Sequence, residues 1–261
     1  MILFVFEGAE REPRIFKTLE RLFFGKEERL VCSFGNNIYE LYRQLREFDG
    51  EGDIVSILRE NNAQLPSGVK SSDFSEIYLF FDYDFQNTNL TLAEMNERLQ
   101  EMLEMFDDET NNGKLYISYP MVESLYYTKQ LPDEHFAEYA ISRSDCMGRS
   151  FKVLAREFSY YGSMDFIELP DSGHRRPGNK EVTRVTQNWI WLVQQHTSKA
   201  NYMCCGDNNL PTIKEIVSQS NVFKAQCEKY LCNGERIAVL NGFPLFLYEY
   251  FKETIWMTNR F

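Results

Sequence analysis

The sequence predicts an α/β fold for residues 1–130, a mostly parallel sheet flanked by helices, followed by a helix-rich accessory region over 131–261 that packs on it. Two observations predict this division. In the first region, short and strongly apolar segments alternate with segments whose apolar residues recur every three or four positions, which is the pattern of strands connected by helices. Beyond about residue 131 the alternation stops and helical patterns dominate.

Each element of the first region has a local signal. Continuous apolar runs indicate strands buried on both faces, Asn36-Asn37 and Thr91 indicate helix N-caps, and Pro13 and Pro120 open helical patterns. In chain order these signals predict a strand at Ile2–Phe6, a helix from Pro13 to Gly25, a strand at Leu30–Phe34, a helix capped by Asn36 and Asn37, a helix at Asp53–Glu60, a strand at Ile77–Phe81, a helix from the capping box of Thr91 and Glu94 to about Phe106, a strand at Leu115–Ser118, and a helix from Pro120 to about Lys129.

The second region reads as helices joined by a few extended segments. Its loop at 170–178 is rich in Pro, Gly, Ser and Asp, residues that favour turns. The patterns predict helices at Phe136–Ile141, Phe151–Tyr160, Val182–His196, Ile213–Tyr230 and Phe246–Lys252, and extended segments at Asp165–Leu169 and Arg236–Leu240.

Composition excludes several classes of protein. The chain has 261 residues, of which 43% are hydrophobic and 15% aromatic, and this argues against disorder. No apolar run approaches the roughly 20 residues of a membrane helix, and the N-terminal run is too short for a signal peptide. A cytoplasmic location without membrane contact is therefore expected. Six cysteines without C-x-x-C spacing favour buried, reduced thiols over a zinc site formed by Cys204, Cys205, Cys227 and Cys232.

The net charge of −11 is unusual for a protein that binds nucleic acid, but it is unevenly distributed. Residues 1–130 hold 24 acidic and 13 basic side chains, whereas residues 131–261 hold 15 of each. The strongest basic stretch lies in the balanced half and consists of His174, Arg175, Arg176, Lys180 and Arg184. It is either a solvated loop or a group that contacts the phosphate backbone of a nucleic acid.

Carboxylates follow the predicted strands. Glu7 and Glu10 come after the first strand, and Asp82 and Asp84 flank Tyr83 after the third. Because parallel sheets place their sites at the carboxyl ends of strands, these acids are expected to meet and to bind Mg²⁺, which prefers oxygen ligands. Each signal has a plainer interpretation, since Asp favours turns and Glu10 suits a solvated first helical turn.

A fifth acid, Glu123, lies in the segment Ser118-Tyr119-Pro120-Met121-Val122-Glu123-Ser124-Leu125. Its plainer interpretation is that an acid near a helix start complements the helix dipole. Together, the apolar strand with Glu7, Gly8 and Glu10, the later strand with its D-x-D, and the S-x-P-x-x-E segment resemble the Toprim domain of topoisomerases, primases and OLD-type nucleases. The last segment resembles that of RloB-like proteins from bacterial defence loci.

The resemblance covers about residues 1–130. It implies that Glu7 is a general acid–base or a metal ligand, that Asp82 and Asp84 bind magnesium, and that Glu10 and Glu123 complete the metal site. The chain departs from two branches of the group, because no Ser or Tyr nucleophile can be assigned as in topoisomerases and the zinc motifs of primases are missing.

The resemblance implies a function with one alternative. The chain is expected to be a Mg-dependent nuclease (with Mn as a possible substitute), a hydrolase that cleaves the phosphodiester of DNA or RNA in anti-phage defence, beside an ABC-type ATPase partner. The alternative is a non-catalytic Toprim-fold interaction subunit of an ATPase-containing defence complex.

Overall fold

The computed structural model describes residues 1–47, 53–61, 65–170 and 176–257. They form two compact units, Met1–Ile117 and Ser118–Phe261. The first unit therefore ends earlier than the boundary at 130/131 that the sequence predicts. In the described part of the chain, no helix is both long and apolar enough to cross a membrane.

A five-stranded sheet forms the centre of the first unit, in the order β2-β1-β3-β5-β4. Strand β1 pairs in parallel with both β2 and β3, while β4 pairs antiparallel with β5, so the predicted α/β class is confirmed. The strands are β1 (Ile2–Phe6), β2 (Arg29–Ser33), β3 (Glu76–Asp82), β4 (Asp107–Asp108) and β5 (Gly113–Ser118).

Four helices accompany this sheet: α1 (Arg11–Phe23), α2 (Ile38–Glu47), α3 (Ile54–Glu60) and α4 (Leu92–Met105). Three of them begin where the sequence predicts, each with a side-chain cap, whereas α1 begins at Arg11, two residues before the predicted Pro13, without a side-chain cap. Asn37 accepts from the amide of Glu40, Asp53 caps α3, and Thr91 with Glu94 makes the capping box of α4.

All five side chains of β1 are buried, as its continuous apolar sequence requires. The ring of Phe4 lies 4.1 Å from that of Phe16 on α1 and 5.4 Å from that of Tyr78 on β3, centroid to centroid. This aromatic packing holds β1 against α1 and β3, and the carboxyl end of β1 lies beside that of β3.

The second unit is rich in helices, with one two-stranded antiparallel sheet formed by β6 and β7. Its elements are β6 (Ala140–Ser142), α5 (Arg143–Gly148), α6 (Phe151–Phe158), α7 (Asn179–Cys205), α8 (Gln219–Gln226), β7 (Arg236–Ala238), α9 (Gly242–Tyr250) and α10 (Thr254–Met257).

The helix predicted from Pro120 to about Lys129 is wrong, since only a short 3-10 helix forms at Val122–Tyr126. The segment bonds instead to residues distant in sequence. Tyr119 exchanges two backbone hydrogen bonds with Leu240, and the Ser124 hydroxyl donates to the Leu240 carbonyl at 2.9 Å. These partners explain why the segment belongs to the second unit and not to the first.

Three further predictions in this unit need correction. The helix at Phe136–Ile141 is replaced by a 3-10 helix and β6, because Ile141 pairs with Ile237 of β7. The helix over Ile213–Tyr230 is interrupted where Ser218 caps α8. Asp165–Leu169 forms a turn instead of an extended segment.

Candidate carboxylate site

Glu7 connects the ends of two neighbouring strands. Its backbone amide donates to the carbonyl of Phe80 on β3 at 3.0 Å, so it continues the pairing of β1 with β3. Its side chain then reaches across to β3, where Oε2 accepts from the amide of Asp82 at 2.9 Å. A hydrogen bond to an ionised carboxylate is stronger than one between neutral groups. The Glu7 side chain therefore contacts the D-x-D segment at its backbone.

The D-x-D segment combines the end of a strand with a turn. Asp82 is the last residue of β3 and is 8% exposed. Asp84 has a φ of +54°, in the left-handed region that Asp tolerates better than most residues. Its carbonyl accepts from the amide of Asn87 at 2.8 Å, which closes the turn. Asp84 therefore lies in this turn and not in the strand, so strand alternation does not set the direction of its side chain.

The environment of Asp84 favours its neutral form more than water does. Partial burial raises the pKa of the Asp84 carboxyl above its usual range, and the Asn87 side-chain amide, which donates to Oδ2 at 3.2 Å, offsets part of this rise. Because a metal binds the ionised carboxylate, the Asn87 amide supports the form of Asp84 that can act as a ligand.

Glu12 is a buried acid next to Gly8, and sequence reasoning missed it. Glu10 is exposed, whereas Glu12, in the first turn of α1, is only 7% exposed. Its carboxylate lies over the backbone at Gly8, since a Cβ atom built on Gly8 would be 2.7 Å from Oε2 of Glu12. The sequence does contain a signal for Glu12, which is the combination of Gly8 with an acid in the first turn of α1.

Changing Gly8 to alanine is therefore expected to displace the Glu12 carboxylate and to speed amide exchange near the start of α1, at little cost in overall stability because the atoms that must move are the end of a flexible side chain. Amide hydrogen exchange of β1 and α1 measures this change. Gly25→Ala is the matched control, because nothing lies within 4 Å of its added Cβ. Equal exchange rates in the two variants would contradict the assignment of Glu12 to this contact.

Glu123 lies in the second unit, where it is 5% exposed within the 3-10 helix. Its neighbours on both sides are held by the side-chain amide of Asn241, which donates to the Val122 carbonyl at 3.2 Å and to the Ser124 hydroxyl at 2.9 Å. That Glu123 takes part in a metal site remains a prediction from the Toprim resemblance.

Of the predicted basic group, Arg176, Lys180 and Arg184 are exposed at the start of α7, and His174 and Arg175 lie outside the described residues. The cysteines are all unpaired among the described residues, but Cys205 and Cys232 are exposed, so the expectation of buried thiols is wrong for these two. Burial raises the pKa of the Cys32 thiol to about 11, which keeps it protonated at neutral pH.

The oxygen donors at this edge suit Mg²⁺ chemically. Among the residues that the structure describes, no group of three or more His, Cys, Asp or Glu side chains is arranged to hold a metal ion. Mg²⁺ keeps several of its waters and is usually bound through one or two carboxylates together with substrate phosphates. At this edge the Glu7 carboxylate lies against the backbone of Asp82, through the hydrogen bond from its amide.

No protein-family model, no curated protein and no solved structure matches this chain.

Proposed function

We propose that the carboxyl ends of β1 and β3 bind Mg²⁺ and that the protein is a metal-dependent nuclease of Toprim type. One observation carries the proposal: the carboxylate of Glu7 contacts the backbone of Asp82 at the ends of adjacent parallel strands. Sites of open α/β sheets lie at this edge. Glu7, Asp82 and Asp84 are the acids to which the Toprim resemblance assigns metal binding and catalysis.

The ligand set follows from burial and position. In this proposal Asp82 and Glu7 supply oxygen ligands, and the buried Glu12, which lies against Gly8, takes the place of the exposed Glu10. When bound, Mg²⁺ neutralises the charge of a phosphodiester and stabilises the leaving oxygen.

The proposed substrate is a nucleic acid, DNA or RNA. Exposed Arg176, Lys180 and Arg184 support contact with phosphates from the second unit. The acidic balance of residues 1–130 favours a partner that contributes to holding the nucleic acid, and an ABC-type ATPase in a cytoplasmic anti-phage defence system is the partner that the resemblance implies.

A second candidate is a non-catalytic interaction subunit of such an ATPase-containing complex. The observation that favours it is that the described residues contain no preformed group of three metal-binding side chains.

The proposal is tested by incubating the full chain with Mg²⁺ or Mn²⁺ and with mixed DNA and tRNA, beside the variants Glu7→Gln and Glu10→Gln. Glutamine at position 7 keeps an oxygen that accepts from the Asp82 amide but removes the charge, so cleavage is expected to fall at least about tenfold. Glu10→Gln makes the same charge change at an exposed position, and it is expected to leave cleavage unchanged.

Cleavage that EDTA abolishes and Glu7→Gln reduces would support the nuclease. The absence of cleavage by the native protein with either metal would favour the interaction subunit. Equal cleavage by the two variants would remove Glu7 from the site.

A further inference from the structure

Tyr83, the residue between the two aspartates, connects the D-x-D segment to two helices. It is fully buried. Its hydroxyl donates to Oδ1 of Asn96 on α4 at 2.5 Å, and its backbone carbonyl accepts from the hydroxyl of Tyr39 on α2 at 2.8 Å. Tyr83 is thus held by α4 through its side chain and by α2 through its backbone carbonyl.

The two helices are also joined to each other at the surface. The Tyr42 hydroxyl of α2 donates to Glu101 of α4 at 3.0 Å, and Arg46 forms an ion pair with the same carboxylate at 2.8 Å. The guanidinium of Arg98 lies over the Tyr42 ring, 5.6 Å from its centroid. Since α2 and α4 are fixed relative to one another, the bonds that they make to Tyr83 define where the D-x-D peptide lies.

The position of this peptide matters because Asp84 follows it directly in the left-handed conformation. Few non-glycine residues adopt that conformation, and it persists where surrounding contacts determine it. The carbonyl held by Tyr39 belongs to the peptide bond between Tyr83 and Asp84, so the Tyr39 hydroxyl acts on the backbone that directs the Asp84 carboxylate.

We propose that Tyr39 and Tyr83 are positioning residues, which act through the backbone of Asp82 and Asp84 to set the geometry of the carboxylates. This inference rests on the proposed metal-dependent function. Neither tyrosine is a metal ligand in this proposal. Substituting either one is expected to lower the metal affinity, and not the stability alone.

The test is Mn²⁺ binding to the full chain, measured by titration calorimetry well below the unfolding temperature. Tyr39→Phe removes one buried hydrogen bond, and it is expected to weaken Mn²⁺ binding roughly three- to tenfold. Tyr78→Phe is the matched control, because it removes a tyrosine hydroxyl of the same unit that donates to Glu76 at 2.8 Å, at the opposite end of β3 from the turn. It is expected to bind Mn²⁺ like the native protein.

Asn96 provides a second pair of variants should Tyr39→Phe fail to fold. Asn96→Asp keeps an acceptor for the Tyr83 hydroxyl and is expected to retain Mn²⁺ affinity, whereas Asn96→Leu removes the acceptor and is expected to weaken binding. Native affinity in both Tyr39→Phe and Asn96→Leu would overturn the positioning role while leaving the metal site intact. Absence of Mn²⁺ binding by the native protein would overturn the metal site, and the positioning role with it.

Discussion

Changing Asp82 and Asp84 together to asparagine is expected to reduce metal-dependent cleavage by about 100-fold or more, and to do so without loss of stability. Asparagine has nearly the shape of aspartate and tolerates the left-handed conformation that position 84 adopts. The substitutions remove two negative charges from a poorly solvated environment, where burial already raises the pKa of Asp84. Asparagine at these positions therefore avoids the free-energy cost of desolvating a carboxylate in the folded state, although it no longer provides a charged metal ligand.

The measurement is the rate of cleavage under single-turnover conditions, together with thermal unfolding of both proteins. Asp107→Asn with Asp108→Asn is the matched control, because it makes the same change of charge at two exposed aspartates of the same unit. Cleavage that survives in the Asp82/Asp84 variant, or that falls equally in the control, would contradict the assignment of the D-x-D segment.

Changing Asn241 to leucine is expected to destabilise the second unit by about 4 kcal/mol. The Asn241 side chain is fully buried, donates to the Val122 carbonyl and the Ser124 hydroxyl, and accepts from the amide of Phe243 at 2.9 Å. Leucine leaves these buried groups without their partner, and each costs about 1–3 kcal/mol in such a place.

Urea unfolding followed by tryptophan fluorescence measures this effect selectively, because all three tryptophans lie in the second unit. Asn233→Leu is the control, since its side chain is exposed and makes one long bond to the Lys229 carbonyl at 3.3 Å. A loss of stability below about 1 kcal/mol for Asn241→Leu would show that other groups or water satisfy these partners.

The hydrogen bonds around Asn241 also depend on an uncharged histidine, His196. Burial, with a contribution from Lys199, lowers the pKa of His196 well below its ordinary value, so the ring stays neutral. Its Nδ1 can then accept from the backbone amide of Asn241 at 3.1 Å. Since the unfolded chain binds this proton near pH 6.5 and the folded chain does not, the contribution of His196 to stability is lost as the pH falls below that value.

The sequence alone determined the α/β class and most elements of the first unit. Ile2–Phe6 is a strand because five consecutive apolar side chains are buried on both faces of a sheet, and the helices begin at Asn37, Asp53 and Thr91 because caps are local interactions. The contact of Glu7 with Asp82 followed from the same local information, since parallel strands end at one edge.

Only the tertiary structure decided which acids are buried and what holds them. Glu10 and Glu12 are both acids near the start of α1, and it is the packing of α1 against the glycine turn that buries Glu12. The helix expected after Pro120 fails because Leu240 and Asn241, more than a hundred residues away, supply its hydrogen-bond partners. Tyr83 gains its role from Tyr39 and Asn96 in the same way, because a side chain's partners depend on the folded arrangement and not on the pattern around it.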